Sequence, residues 1–118
     1  MTPEEVVRSL LAAWDRLDVD AVMSHFAPEA VYENVPIRAV SGYAEVRREV
    51  ERFLNRTTSF EAEVLNLAVA GNVVMTERVD HTRYAGTLFH ARVMGVFEIE
   101  GDKIRAWRDY FDMPKDAR

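Results

Sequence analysis

The sequence predicts an α+β fold in which three N-terminal helices cover one face of a curved, mostly antiparallel β-sheet, giving a cone with a blind apolar interior. Three observations carry that prediction. Apolar residues recur at helical spacing up to Leu54, β-branched and aromatic runs fill Phe60 to Asp112, and short glycine-bearing links separate those runs. Helices first and strands afterwards place the helices on one side of one sheet, not between parallel strands.

Thr2 followed three residues later by Glu5 is a capping box, with Pro3 at the first helical position, where a missing N–H matters least. Val7, Leu10, Leu11, Trp14 and Leu17 continue at helical spacing, so the first helix is expected to run to about Leu17. Asp18 or Asp20 can cap a short second helix carrying Val22, Met23 and Phe26 and stopped near Pro28. A brief extended piece, Ala30 to Glu33, leads to Asn34-Val35-Pro36. Ser41-Gly42 then opens a third helix with the stripe Tyr43, Val46, Val50, Phe53 and Leu54.

Phe60 to Val69, Val73 to Arg83, Leu88 to Ile99 and Lys103 to Asp112 read as four long strands. Ala70-Gly71-Asn72, Tyr84-Ala85-Gly86-Thr87 and Glu100-Gly101-Asp102 separate them, links short enough to demand antiparallel hairpins. No repeat, linker or low-complexity segment interrupts this order, and 118 residues suit one domain spanning 1–118.

Hydrophobic residues at 48 % and charged residues at 30 % match a folded chain. The net charge of −5 repels nucleic acid and anionic membrane, so neither is an expected partner. With no cysteine there is no disulfide, thiol catalysis or cysteine zinc site. The acidic start Met1-Thr2-Pro3-Glu4-Glu5 lacks the basic and apolar regions of a signal peptide, and no run approaches the roughly 18 apolar residues of a membrane span. The expectation is a cytoplasmic enzyme or binding domain.

The informative residues are charges on strands. Side chains alternate faces, so Arg78 and Asp80 share one face of their strand, about 7 Å apart. Asp109 shares a face with Trp107 and Phe111, and an aspartate between aromatics is costly inside unless something pairs it. If Tyr84 to Thr87 form a four-residue loop, Arg83 pairs with Leu88 and Arg78 lies opposite Val93. If Glu100 to Asp102 form a three-residue loop, Ile99 pairs with Lys103 and Val93 lies opposite Asp109. Arg78 and Asp109 then meet over Val93, about 10 Å apart at the backbone, with Asp80 one step along over Ala91. A two-residue second loop would instead bring Tyr110 to that face. The plain alternative is a surface salt bridge on a solvated sheet face, against which the apolar and aromatic neighbours of all three charges weigh.

Thr76-Glu77-Arg78-Val79-Asp80, Gly95-Val96-Phe97, Gly101-Asp102-Lys103-Ile104 and Trp107-Arg108-Asp109-Tyr110-Phe111-Asp112 resemble the limonene-1,2-epoxide hydrolases, and Val31-Tyr32-Glu33-Asn34-Val35-Pro36 resembles that family's water-binding segment. The similarity covers essentially the whole chain in the same order. It implies the cone-shaped fold of the nuclear-transport-factor-2-like (NTF2-like, SnoaL-like) superfamily, which hosts enzymes and binding modules alike. It also implies a one-step hydrolysis of a small apolar epoxide to a vicinal diol. Asp109 would match the general base, Tyr32 and Asn34 the residues that hold the attacking water, Asp80 the general acid and Arg78 the arginine bridging both carboxylates. By itself Tyr-x-Asn before a proline is ordinary turn chemistry.

The chemistry needs such a set. Opening the ring requires a nucleophile on carbon and a proton on oxygen together, so a base and an acid must coexist at one pH, which two aspartates achieve only in unequal environments. A covalent aspartyl ester would need a histidine-based second step, and His25, His81 and His90 show no companion pattern for it. The three histidines also lack metal-site spacing, and no phosphate loop or serine-hydrolase elbow occurs, so no metal and no cofactor are expected.

Leu54, Ala91, Val93, Trp107 and Phe111 are the expected pocket lining, whereas Leu10, Trp14, Val50 and Phe53 are expected in the core. Relatives carry further residues at both ends and a slightly longer stretch between the matches of Asp80 and Gly95. Here Met113-Pro114-Lys115-Asp116-Ala117-Arg118 follow Asp112, implying a pocket that is more open or closed by a partner subunit. A homodimer is expected, with the face bearing Val79 and Met94 as its contact. Two rivals stay open: a ketosteroid-isomerase-like or polyketide-cyclase-like enzyme, which needs no arginine between two aspartates, and a non-catalytic small-molecule-binding module, which needs no interior charges.

Overall fold

Thr2 does cap the first helix. Its hydroxyl accepts from the Glu5 N–H at 3.2 Å while the Glu5 carboxylate accepts from the Thr2 N–H at 2.7 Å. The computed structural model describes residues 1–113, and in it α1 (Pro3–Asp15) ends two residues before Leu17, which turns out of the helix at a φ of 57°. The Asp18 side chain caps α2 (Val19–Met23), accepting from the Ala21 N–H. Phe26 belongs not to this helix but to β1 (Phe26–Val35), a longer strand than the expected Ala30–Glu33. Pro28 does not prevent it, because the pairing of β1 slips between Phe26 and Val31, where no ladder N–H is required.

β2 (Arg38–Ser41) escapes sequence reading, being four residues long and mostly exposed. It pairs with β1 and leads into α3 (Tyr43–Leu54). β3 (Thr57–Ala70), β4 (Val73–Tyr84), β5 (Thr87–Glu100) and β6 (Lys103–Tyr110) form the meander. The six strands lie in the order β2-β1-β6-β5-β4-β3, antiparallel throughout except between β1 and β6. α1 and α3 cover one face. Val6, Val7 and Leu10 of α1 and Val46, Val50 and Leu54 of α3 share a buried core with Val74, Phe97, Ile104 and Trp107 of the sheet, each such side chain being worth roughly 1.5–3 kcal/mol of transfer free energy. No described helix is long and apolar enough to cross a membrane.

The registers decide where the charges go. Arg83 pairs with Leu88 and Arg78 with Val93, as the sequence predicts, although Tyr84 and Thr87 also pair and leave a two-residue turn. Ala85 and Gly86 both have positive φ in that turn, as a primed hairpin turn demands. The next hairpin differs from expectation. Glu100, not Ile99, pairs with Lys103, and Ile99 pairs with Ile104. That register alone would set Asp109 opposite Met94, on the outside. A bulge then lets Glu98 pair with Ala106, and Asp109 lies opposite Gly95. The expected partner Val93 is thus wrong by two positions. An offset of two preserves the face, so the bulge returns Asp109 to the interior.

Candidate active site

Arg78 sits between two aspartates and uses its whole donor set. Nε and Nη2 donate to the Asp80 oxygens at 3.1 and 2.9 Å. Nη1 and Nη2 donate to the Asp109 oxygens at 3.2 and 2.9 Å, and Nη1 also donates to Thr76 Oγ1 at 3.0 Å. A guanidinium has five N–H bonds, and every one is used in this way. The side chains are 1 % exposed for Arg78, 14 % for Asp80 and 7 % for Asp109, so this is a buried triad and not a surface salt bridge.

Asp109 has a further donor, the Trp107 indole Nε1, at 2.7 Å from Oδ1. Among the described residues Asp109 therefore receives three hydrogen bonds, and Asp80 two, both from Arg78. Burial pushes the Asp109 carboxyl above its ordinary range, and the Arg78 charge and hydrogen bonds oppose that push. Burial works against the Arg78 charge too, but the Asp109 and Asp80 carboxylates outweigh it and hold the guanidinium ionised.

The parallel pairing of β1 with β6 brings in the remaining polar residues. Asn34 lies beside Asp109 and Tyr32 beside Trp107. Tyr32 is buried and packs on the Trp107 ring with centroids 4.8 Å apart. Burial, helped by the nearby Asp109 charge, raises the Tyr32 phenol well above its ordinary value, so it stays protonated and can donate. That β1 adjoins β6 has no signature in the chain, since the two strands are remote in sequence and parallel.

All five polar residues face one cavity of about 390 Å³ between sheet and helices. Ala91, Val93, Trp107 and Phe111 line it as expected, but Leu54 does not; its side chain is packed into the helix–sheet core. Phe53, one position earlier and so about 100° round the helix, faces the cavity instead. Trp14 lies in the buried core, as the helical stripe predicts, and its ring also lines the cavity. Phe60 and Phe89 complete the aromatic wall, and the odd–even pattern of their strands could have found them. Asp112 and Met113 reach the cavity, whereas Pro114 to Arg118, where the sequence suggests a shortened wall, lie outside the described residues. A second, more open groove of about 570 Å³ runs past Leu65, Glu77, Met94 and Tyr110; Arg78 and Val93 also border it, but neither Asp80 nor Asp109 does.

The model of the limonene-1,2-epoxide hydrolase catalytic domain matches residues 1–115. The epoxide hydrolase EphG of Mycobacterium tuberculosis is 32 % identical over 107 residues, covering 91 % of this chain and 71 % of that protein. A solved structure of a limonene-epoxide-hydrolase-like enzyme from M. tuberculosis superposes with a TM-score of 0.83 at 31 % identity, covering 92 % of this chain and 80 % of that one. An NTF2-like protein from Cytophaga hutchinsonii, 17 % identical, superposes with a TM-score of 0.77 over 95 % of this chain and 91 % of its own, a likeness of fold alone.

Proposed function

The chain belongs to the limonene-1,2-epoxide hydrolase family, and from that premise we propose that it adds water to a small apolar epoxide in one step, giving a vicinal diol. The observation that carries the reading is the doubly bidentate Arg78, which holds two carboxyl groups at the polar end of an aromatic-walled cavity.

Asp109 is the base. Among the described residues its Oδ2 accepts only from Arg78 Nη2, which leaves that oxygen capacity for a water proton, while Asn34 and Tyr32 flank the place where such a water would be held. Raised basicity helps a base as long as it stays ionised, and three donors favour the carboxylate. Asp80 is the acid. Its ladder neighbours Ala62 and Ala91 are small and apolar, which leaves room for the epoxide oxygen.

In the step, the water oxygen bonds to one ring carbon as that carbon's bond to oxygen breaks. The Asp80 proton passes to the leaving oxygen and a water proton passes to Asp109. Arg78, one carboxylate and one carboxylic acid have zero summed charge before and after. No net charge builds up beside the buried triad, where it would be expensive. The pair starts the next cycle once its single proton has moved back to Asp80.

Hydrolysis of cyclohexene oxide, limonene 1,2-oxide and styrene oxide by the purified chain tests the reading, and absence of diol from all three would sink it. Asp109→Asn and Asp80→Asn should each lower turnover by about 10²- to 10⁴-fold without unfolding the chain. In ¹⁸O-labelled water under single turnover, label should enter the diol and never an aspartate side chain, whereas an ester intermediate would label the aspartate. We further propose a homodimer formed through the outer sheet face, where Met94 is 47 % exposed beside the half-buried Val79; a monomeric mass by light scattering would refute it.

A further inference from the structure

Resting on the hydrolase reading, we infer that Gly95 is a positioning residue: its missing side chain makes the floor on which Arg78 reaches Asp109. Thr76, Gly95 and Asp109 are consecutive partners across β4, β5 and β6, so their side chains share one row on the inner face. Arg78 stands one step along, opposite Val93, and its guanidinium leans back over Gly95 to bond both ends of that row.

A Cβ at position 95 would lie 2.7 Å from Asp109 Oδ1 and 2.9 Å from Thr76 Oγ1, and closer still to Arg78 Nη1. Real Cβ atoms essentially never come within 3.0 Å of another heavy atom. All three atoms are side-chain ends, but none is free to swing away. Arg78, Thr76 and Asp109 are all buried, and Arg78 is tied to both of the others by the hydrogen bonds above.

Nothing in the backbone asks for glycine here. Gly42, Gly71, Gly86 and Gly101 have positive φ, and Gly95 does not. A glycine inside a strand, with ordinary extended geometry, marks a close approach from above. The approach in this case comes from the guanidinium. The β5–β6 bulge is its counterpart, since that bulge is what brings Asp109 opposite this residue and no other.

Gly95→Ala should therefore leave the strand intact and displace Nη1, breaking its bonds to Thr76 and Asp109 while the Nε and Nη2 bonds to Asp80 persist. With cyclohexene oxide as probe, kcat should fall about 10²-fold, the effect of a displacement of about 1 Å, with KM little changed. Asp109 loses part of its cationic partner, so it protonates at higher pH and the acidic limb of the pH–rate profile moves upward. Lysine at 78 lacks Nη1 and so removes the tightest of the three contacts, so adding Gly95→Ala to Arg78→Lys should cost clearly less than Gly95→Ala costs alone, whereas a merely structural role would add the same loss in both backgrounds.

Wild-type kcat and pH profile in Gly95→Ala, or an equal loss in the Arg78→Lys background, would overturn the inference. If Gly95→Ala fails to fold, the double variant decides. A folded double variant supports the clash with the guanidinium, and an unfolded one beside a folded Arg78→Lys overturns it. Should the wild-type chain turn over no epoxide, the hydrolase reading fails separately, and ¹H–¹⁵N spectra still test Gly95. The Arg78 guanidinium and the Trp107 indole N–H should both shift in Gly95→Ala, and unshifted signals would refute the positioning role.

Discussion

The two faces of the sheet each hold an arginine–carboxylate cluster, and they are built in opposite proportions. On the outer face one carboxylate, Glu98, serves two arginines, Arg105 and Arg108, with the Arg108 contact at 2.7 Å. On the inner face one arginine serves two carboxylates. The outer side chains are 25 % exposed for Glu98, 49 % for Arg105 and 28 % for Arg108, against 1 % for Arg78. Water can solvate whatever the outer cluster leaves unpaired, so an outer contact is worth about 0–1 kcal/mol. The inner cluster has no such recourse. Each of its charges is tolerable only because the others are present, and in the proposed mechanism the same interdependence is what lets a proton move between the carboxyls without a change in net charge.

Removing one member should expose this difference most strongly. Arg78→Leu leaves two buried carboxyls facing each other, with an expected loss of roughly 3–5 kcal/mol of stability and of essentially all turnover. Glu98→Gln should change stability by less than about 1 kcal/mol and leave turnover intact. Urea unfolding of both variants, read beside epoxide hydrolysis, measures the contrast. Equal losses would mean that the inner arginine is as well solvated as the outer ones.

The outer cluster was the harder of the two to see in the sequence, and the reason is the bulge. Arg105 and Ala106 together oppose Glu98, a two-against-one pairing that strict alternation cannot represent. The inner face was legible because Arg78-x-Asp80 and Trp107-x-Asp109-x-Phe111 place charge beside apolar bulk at period two, a pattern that survives an error of two in register. Strand existence, the capping box and the Arg78–Val93 pairing were readable for the same reason, being fixed by neighbours close in the chain. The place of β1 beside β6 was not, because parallel pairing between remote segments is set by the packed whole, nor was β2, which is four residues long and mostly exposed. Leu54 and Phe53 show the same limit at one residue: periodicity puts both on a buried stripe, and only the position of the sheet says which of them meets the cavity.

Acidity should sharpen the comparison with a smaller effect of opposite sign on the two faces. Asp109 binds its proton more tightly in the folded chain than in the unfolded one, chiefly because it is buried. Its contribution to stability is then fully present below the ordinary aspartate range and is lost as pH rises through the raised folded value. Glu98 is the reverse. The Arg108 and Arg105 hydrogen bonds hold its pKa down, so its contribution is present above the ordinary glutamate range and is lost as pH falls through the lowered value. Unfolding midpoints followed from about pH 3 to about pH 8 should thus show wild type losing ground to Asp109→Asn as pH rises and gaining on Glu98→Gln. Parallel curves for all three proteins would show that neither cluster is coupled to folding through its protons.

Salt should produce the smallest effect, and it separates the faces by solvent access alone. At about 1 M salt the screening length falls to about 3 Å, close to the 2.7 Å spacing of Glu98 and Arg108, and ions can reach that pair through the exposed flank of the arginines. The few tenths of a kcal/mol lost in Glu98→Gln should shrink towards zero there. Ions cannot enter between Arg78 and its aspartates without opening the cavity, so the loss in Arg78→Leu should be the same at low and high salt. An Arg78→Leu loss that declined with salt in step with that of Glu98→Gln would place the triad in contact with bulk water, and the proposed one-proton exchange between its carboxyls would lose the buried surroundings that make a shared guanidinium necessary.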